Sequence, residues 1–171
     1  MIRRLALAGI AAASLAGAAH AQPAPDPMTA DFITKAAQSD EFERREGRLA
    51  EQHAHNPHVR QFAREMVAAH TQTTIGLKAA VHRAGMTAPP MPPLSDAQGQ
   101  MIAALRGAHG GDFDRTYMDQ QVQAHQEALG GMQGYAQSGH PGPIRDAAQK
   151  TAPLVQHHLD MAKALQGHMG G

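Results

Sequence analysis

Four long stretches of this chain repeat their apolar side chains at spacings of three and four, and none alternates with the two-residue period of a strand. Thr29 to about Ala54 carries Phe32, Ala36, Ser39, Glu43, Gly47 and Ala50 on one stripe. Pro57 to Ala84 carries Val59, Ala63, Met66, His70, Thr73, Leu77 and Val81, and Gly85 follows as a C-terminal stop. From Asp112 a third stripe reads Met118, Val122, His125, Leu129, Met132 and Ala136, and after the SGHPGP turn a fourth reads Ile144, Ala148, Thr151, Val155, His158, Ala162 and Leu165. Each stripe must bury its face against the others, so the expected fold is all-α, a four-helix bundle.

Short turns at Asn56-Pro57 and SGHPGP make two antiparallel hairpins, and a 26-residue connection, 86 to 111, joins them. Its MTAPPMPP segment cannot be helical, whereas Ser95 to Gly107 reads as a short helix capped by Ser95. A crossover of this length can run back along a bundle ~40–45 Å tall, which places the two turns at opposite ends. Pro153 inside the last helix is expected to kink it one turn before His158.

One polar residue interrupts each apolar stripe: Glu43, His70, His125 and His158. Glu43 and His70 are equally far from the middle of the first turn, and His125 and His158 equally far from the middle of the second, so each pair is level across its hairpin. With the turns at opposite ends, the two pairs meet at nearly one depth. Buried polar groups cost free energy unless something satisfies them. Three imidazoles and a carboxylate suit a single Zn, Cu(II) or Ni ion, and Met66 and Met161 place thioethers that Cu(I) accepts within about a turn of two of the histidines. The alternative is a Glu/His polar core satisfied by internal hydrogen bonds, with no metal. Histidines buried as neutral groups should have pKa values below ~6.5, with Glu43 able to reverse this for one partner.

Met1 to Ala21 has a short basic start at Arg3 and Arg4, an apolar run and an Ala19-His20-Ala21 cleavage pattern, the form of a secretory signal. The expected organisation is a signal peptide over 1–21, a disordered Pro-rich lead-in over 22–28, the bundle over 29–167 and a disordered tail over 168–171. The mature chain is then periplasmic or secreted, with no transmembrane segment. Cleavage removes two of fifteen basic residues and none of fifteen acids. That weakly acidic balance, without a basic cluster, argues against nucleic acid as a partner. The absence of cysteine excludes disulfides, a lipoprotein anchor and thiolate metal ligands.

DFITKAAQSDEFERREGRLAEQHAHNPHVRQFAREMVAAH, GGDFDRTYMDQQVQAH and APLVQHHLDMAKAL resemble the signature stretches of the bacterial domain-of-unknown-function family four-one-four-two. The similarity covers roughly Asp31 to Leu165. It implies a ferritin-like bundle in a secreted protein, often labelled a putative outer-membrane protein, and it brings no activity with it. The family pattern usually places Asp before the histidines of the second and third helices, where this chain has Ala69 and Ala124, so Glu43, His70, His125 and His158 carry over. The chain also lacks any Glu-x-x-His, which disfavours di-iron chemistry.

No nucleophile elbow, phosphate loop or Ser/His/Asp arrangement is present, so no complete catalytic set is visible. His53, His55 and His58 crowd the first turn as a solvated cluster, and Asp112, Asp114 and Asp119 read as acids complementing the start of the third helix. The function expected is transition-metal binding, Cu or Zn, in envelope stress or metal homeostasis, with a non-catalytic envelope structural or interaction protein as the alternative.

Overall fold

A computed structural model of the chain describes residues 25–169. The expected signal peptide, the first part of the lead-in and Gly170-Gly171 lie outside the described residues. Five helices form: α1 Pro27–His53, α2 Pro57–Arg83, α3 Asp96–Gly107, α4 Gly110–Ser138 and α5 Pro143–Gly167. No strand occurs among the described residues, and no helix there is long and apolar enough to cross a membrane.

Local chemistry sets the ends. Asp26 accepts hydrogen bonds from the Met28 and Thr29 amides with Pro27 at the first helical position, so α1 begins inside the segment expected as disordered lead-in. Asn56 caps α2 in the same way. At its far end Gly85 takes φ 73°, and the Met86 amide reaches back to the Val81 carbonyl, the closure a left-handed glycine permits. Ser95 and Gln98 form a reciprocal capping box on α3. α4 starts at Gly110, before the expected Asp112, and α5 runs unbroken through Pro153. The tail is ordered as far as Met169, which packs on the core instead of fraying.

Asp114 corrects a reading of the sequence. It is buried, and its two oxygens accept from the His55 and Asn56 amides at 2.9 and 2.7 Å. The carboxylate therefore fastens the α1–α2 turn to the start of α4 and does not serve as a helix-end charge.

α1 packs along α2 and α4 along α5, while α2 also meets α5 and α1 meets α4; α3 rests on α4 and α1. Two apolar clusters fill the interior. One gathers Ala50, Ala54, Val59, Phe62, Met66, Leu105, Phe113, Tyr117, Met118 and Ala162 around the first turn. The other gathers Phe32, Ile33, Ala36, Ala80, Val81, Tyr135, Ile144 and Ala148 around the second. The turns thus lie at opposite ends, as the long crossover requires. Between those two sets lie most of the buried polar residues of α1, α2, α4 and α5: Asp40, Glu43 and Glu46; His70 and Thr74; Gln121 and His125; His158.

Candidate metal centre

His70 on α2, His125 on α4 and His158 on α5 are 3%, 1% and 5% exposed. Their rings form a near-equilateral triangle, with centroids 5.5 Å apart for His70–His125, 5.7 Å for His70–His158 and 5.5 Å for His125–His158. One ring nitrogen from each lies within 4.8 Å of the others. The three sequence-predicted histidines therefore converge on one point.

The remaining ring nitrogens decide what that point can do. His70 Nδ1 donates to Asp40 Oδ1 at 2.9 Å, and His125 Nδ1 donates to the Gln121 carbonyl at 2.9 Å. Carboxylate and carbonyl oxygens only accept, so both Nδ1 atoms carry hydrogen, and a neutral ring then keeps its lone pair on Nε2. His70 Nε2, His125 Nε2 and His158 Nδ1 are buried and have no hydrogen-bond partner in the protein. Outer nitrogens held by acceptors, with inner ones free, is the arrangement that orients imidazoles toward a metal ion.

Asp40 is itself braced. It accepts from Thr73 Oγ1 at 2.7 Å and Thr74 Oγ1 at 2.9 Å, and Arg44 Nη1 donates to Thr74 Oγ1 at 2.6 Å. Arg44 also pairs with Glu41. His158 has no comparable support.

Glu43 lies against His125, with Oε1 3.6 Å from Nδ1 and Oε2 accepting from Gln121 Nε2 at 2.6 Å. It approaches the supported edge of that ring and so stands outside the histidine triangle. Met66 and Met161 belong to the apolar cluster around Phe62 and Met118, Met161 at its partly buried edge. His53, His55 and His58 are exposed on their turn.

Electrostatics separates the three histidines. Burial lowers the pKa of His158 to about 3, helped by the charges of His70 and His125. Burial also lowers His125, against the pull of Glu43. At His70 burial acts the same way, but the Asp40 hydrogen bond and the charges of Glu43 and Asp40 outweigh it, and the net shift is upward. The expectation of depressed values is met at two histidines and reversed at the third, chiefly through Asp40.

Two groups that support the triangle were missed in the sequence. Asp40, Glu43 and Glu46 recur at intervals of three, and Tyr117, Gln121 and His125 at intervals of four, so each set shares one helix face. That spacing was the available signal.

A tetrahedral ion with bonds of ~2.0–2.1 Å needs nitrogens about 3.3 Å apart. The triangle has to contract by at most about 1.5 Å on loading, within the reach of side-chain adjustment, and the ion must displace the proton that Asp40 favours on His70. The donor set fits a borderline ion such as Zn or Cu(II), with a fourth position left for a small ligand.

The family model described as Domain of unknown function (DUF4142) matches residues 13–165. The chain belongs to that family. No curated protein and no solved structure matches it.

Proposed function

We propose that this DUF4142 protein is an exported, ferritin-like four-helix bundle that binds one transition-metal ion, Cu or Zn, through His70, His125 and His158. Asp40 and the Gln121 carbonyl orient two of the ligands, Glu43 lies against the Nδ1 edge of His125, and Met66 and Met161 fill the core beside the site. The role is to hold the ion in metal homeostasis or envelope stress, because the site brings no nucleophile or acid/base pair to bear on a substrate. Residues 1–21 serve as the export signal, cleaved near Ala21.

The observation that carries this reading is that three buried histidines each bring a ring nitrogen within 4.8 Å of the others, while each keeps one buried ring nitrogen without a partner in the protein. A metal-free polar core would leave those three atoms unsatisfied, at a cost of about 1–3 kcal/mol each. The test is elemental analysis of untagged protein, for wild type and a His70→Ala/His125→Ala/His158→Ala variant. One tightly bound equivalent of Cu or Zn is expected in the wild type and none in the variant. Equal uptake by both would refute the site and leave the polar core as the function of these residues.

A further inference from the structure

Next to the histidine triangle, on the side of the first turn, lies a second polar layer made of oxygen. Glu43 and Glu46 on α1 face Gln121 and Tyr117 on α4, and all four are at most 1% exposed. A single donor, Gln121 Nε2, serves both carboxylates, at 2.6 Å to Glu43 Oε2 and 3.1 Å to Glu46 Oε2. Three further oxygens have no partner at all: Glu46 Oε1, Gln121 Oε1 and the Tyr117 hydroxyl.

Two carboxylates sharing one amide in a dry interior repel each other and lack hydration. Burial and the Glu43 charge hold the Glu46 carboxyl well above the usual range, and burial with the charges of Glu43 and Glu46 raises the Tyr117 phenol. Tyr117 lies one helical turn before Gln121 on the same face of α4, and its buried hydroxyl bonds to neither carboxylate. A proton on Glu46 relieves the repulsion, and a cation relieves it while also engaging the unpaired oxygens of Tyr117 and Gln121.

We infer that Glu43, Glu46, Tyr117 and, after rotation of its amide, Gln121 form a second cation site that takes a hard divalent ion of the Mn2+ kind. All four donors are oxygens, the donor type that suits hard ions such as Mn2+ and Mg2+, whereas Cu and Zn are drawn to the nitrogens of the histidine triangle. Mg2+ is the poorer occupant because it sheds its hydration water reluctantly and all four residues are buried. Glu43 lies between the layers, touching His125 on one side and sharing Gln121 with Glu46 on the other, so the two ions would be neighbours. The oxygen site does not require the histidine site to be filled.

The probe is Mn2+ alone, followed by the loss of its six-line aqueous electron-spin signal. Wild type should bind one equivalent, and Glu46→Gln should weaken binding by about tenfold or more. Glu46→Gln replaces the carboxyl by a neutral isostere and should fold at least as well without metal. Tyr117→Phe, which keeps the ring packed on Phe62, should weaken binding a few-fold. A His70→Ala/His158→Ala variant should lose Zn2+ and keep Mn2+, which separates failure of this site from failure of the histidine site. Equal Mn2+ binding by wild type and Glu46→Gln, or none by either, would show that Glu46 simply keeps a proton. Loss of both ions in the histidine variant would also overturn the proposal, because the layers would then be one site.

Discussion

The two hairpins contribute to the histidine triangle on different terms. In α1–α2, His70 is clamped by Asp40, which Thr73 and Thr74 brace in turn, and Gly47 lets the helices approach so closely that an added Cβ would sit 2.6 Å from Val67 Cγ2. In α4–α5, His158 has an unpartnered Nδ1, α5 contains Pro153, and Gly130, Gly131 and Gly134 of α4 face open space. One hairpin clamps its single ligand through a braced carboxylate, and the other carries two, His125 held by a carbonyl of its own helix and His158 without such support. A triangle that must contract to hold an ion needs both properties: a fixed reference and a compliant partner.

The sharpest way to break this contrast is to cut the clamp. Asp40→Ala removes the acceptor for His70, Thr73 and Thr74 together, so it should cost on the order of 3–5 kcal/mol in denaturant unfolding. It should also weaken metal binding about 10–100-fold. Gln121→Ala keeps the backbone carbonyl that holds His125 and should affect the histidine site much less. Equal losses would show that neither hairpin is privileged.

Loading the ion should stiffen the looser hairpin more. At a free Zn2+ concentration a hundred times its Kd the protein should gain about 2.7 kcal/mol. In hydrogen exchange the added protection should concentrate in α5 around Pro153 to His158, with a smaller gain in α2. Uniform protection would mean that the two hairpins respond as one body.

Titration reads the same difference through charge. His158 and His125 have depressed values, so below pH ~6.5 the unfolded chain takes up protons that these folded rings refuse, and stability falls on acidification toward pH 3. His70 acts in the opposite sense: its contribution is complete below pH ~6.5 and fades as pH rises through its raised value. The raised carboxyl of Glu46 acts with His70, so the excess of two lowered histidines over one raised one is read in the ion-free Glu46→Gln variant, which should lose net stability between pH 6.5 and 4. Nuclear magnetic resonance of the ring protons should show His70 titrating above 6.5 and His158 not titrating until about pH 3. Similar midpoints for the two would remove the distinction.

The smallest effects lie in the glycines. Gly47→Ala should destabilise by about 1–2 kcal/mol through crowding against Val67 and the Ala63 carbonyl. Gly130→Ala, with nothing near its new methyl, should stabilise by roughly 0.5–1 kcal/mol. Melting temperatures moving the same way in both would contradict the packing contrast.

The helical stretches and the three histidines were legible because a 3.6-residue period is a property of the backbone and survives any packing partner. Asp40 and Glu46 were not. A single stripe assumes one packing direction, whereas α1 packs against α2, α3 and α4 and so buries a wider face than Phe32–Glu43–Ala50 traces. Leu129 and Leu165, both on their stripes, are only half-buried, while Tyr117 and Phe42, off them, are fully buried. The Gln121 carbonyl on His125 lay beyond any reading of side chains, since every residue has such an oxygen. Asp114 looked like a helix-end acid because its partners, the His55 and Asn56 amides, are 59 and 58 residues distant in the chain.

The placement of the polar layers midway between two closed apolar ends governs time as well as affinity. An ion bound among side chains no more than 5% exposed would leave as the helices part. Release should then keep pace with the breathing of the fold, and a strong chelator should strip the protein at a rate that levels off however much chelator is added. Such a site would work as a slow reservoir, taking up metal in surplus and giving it back over the lifetime of the folded state.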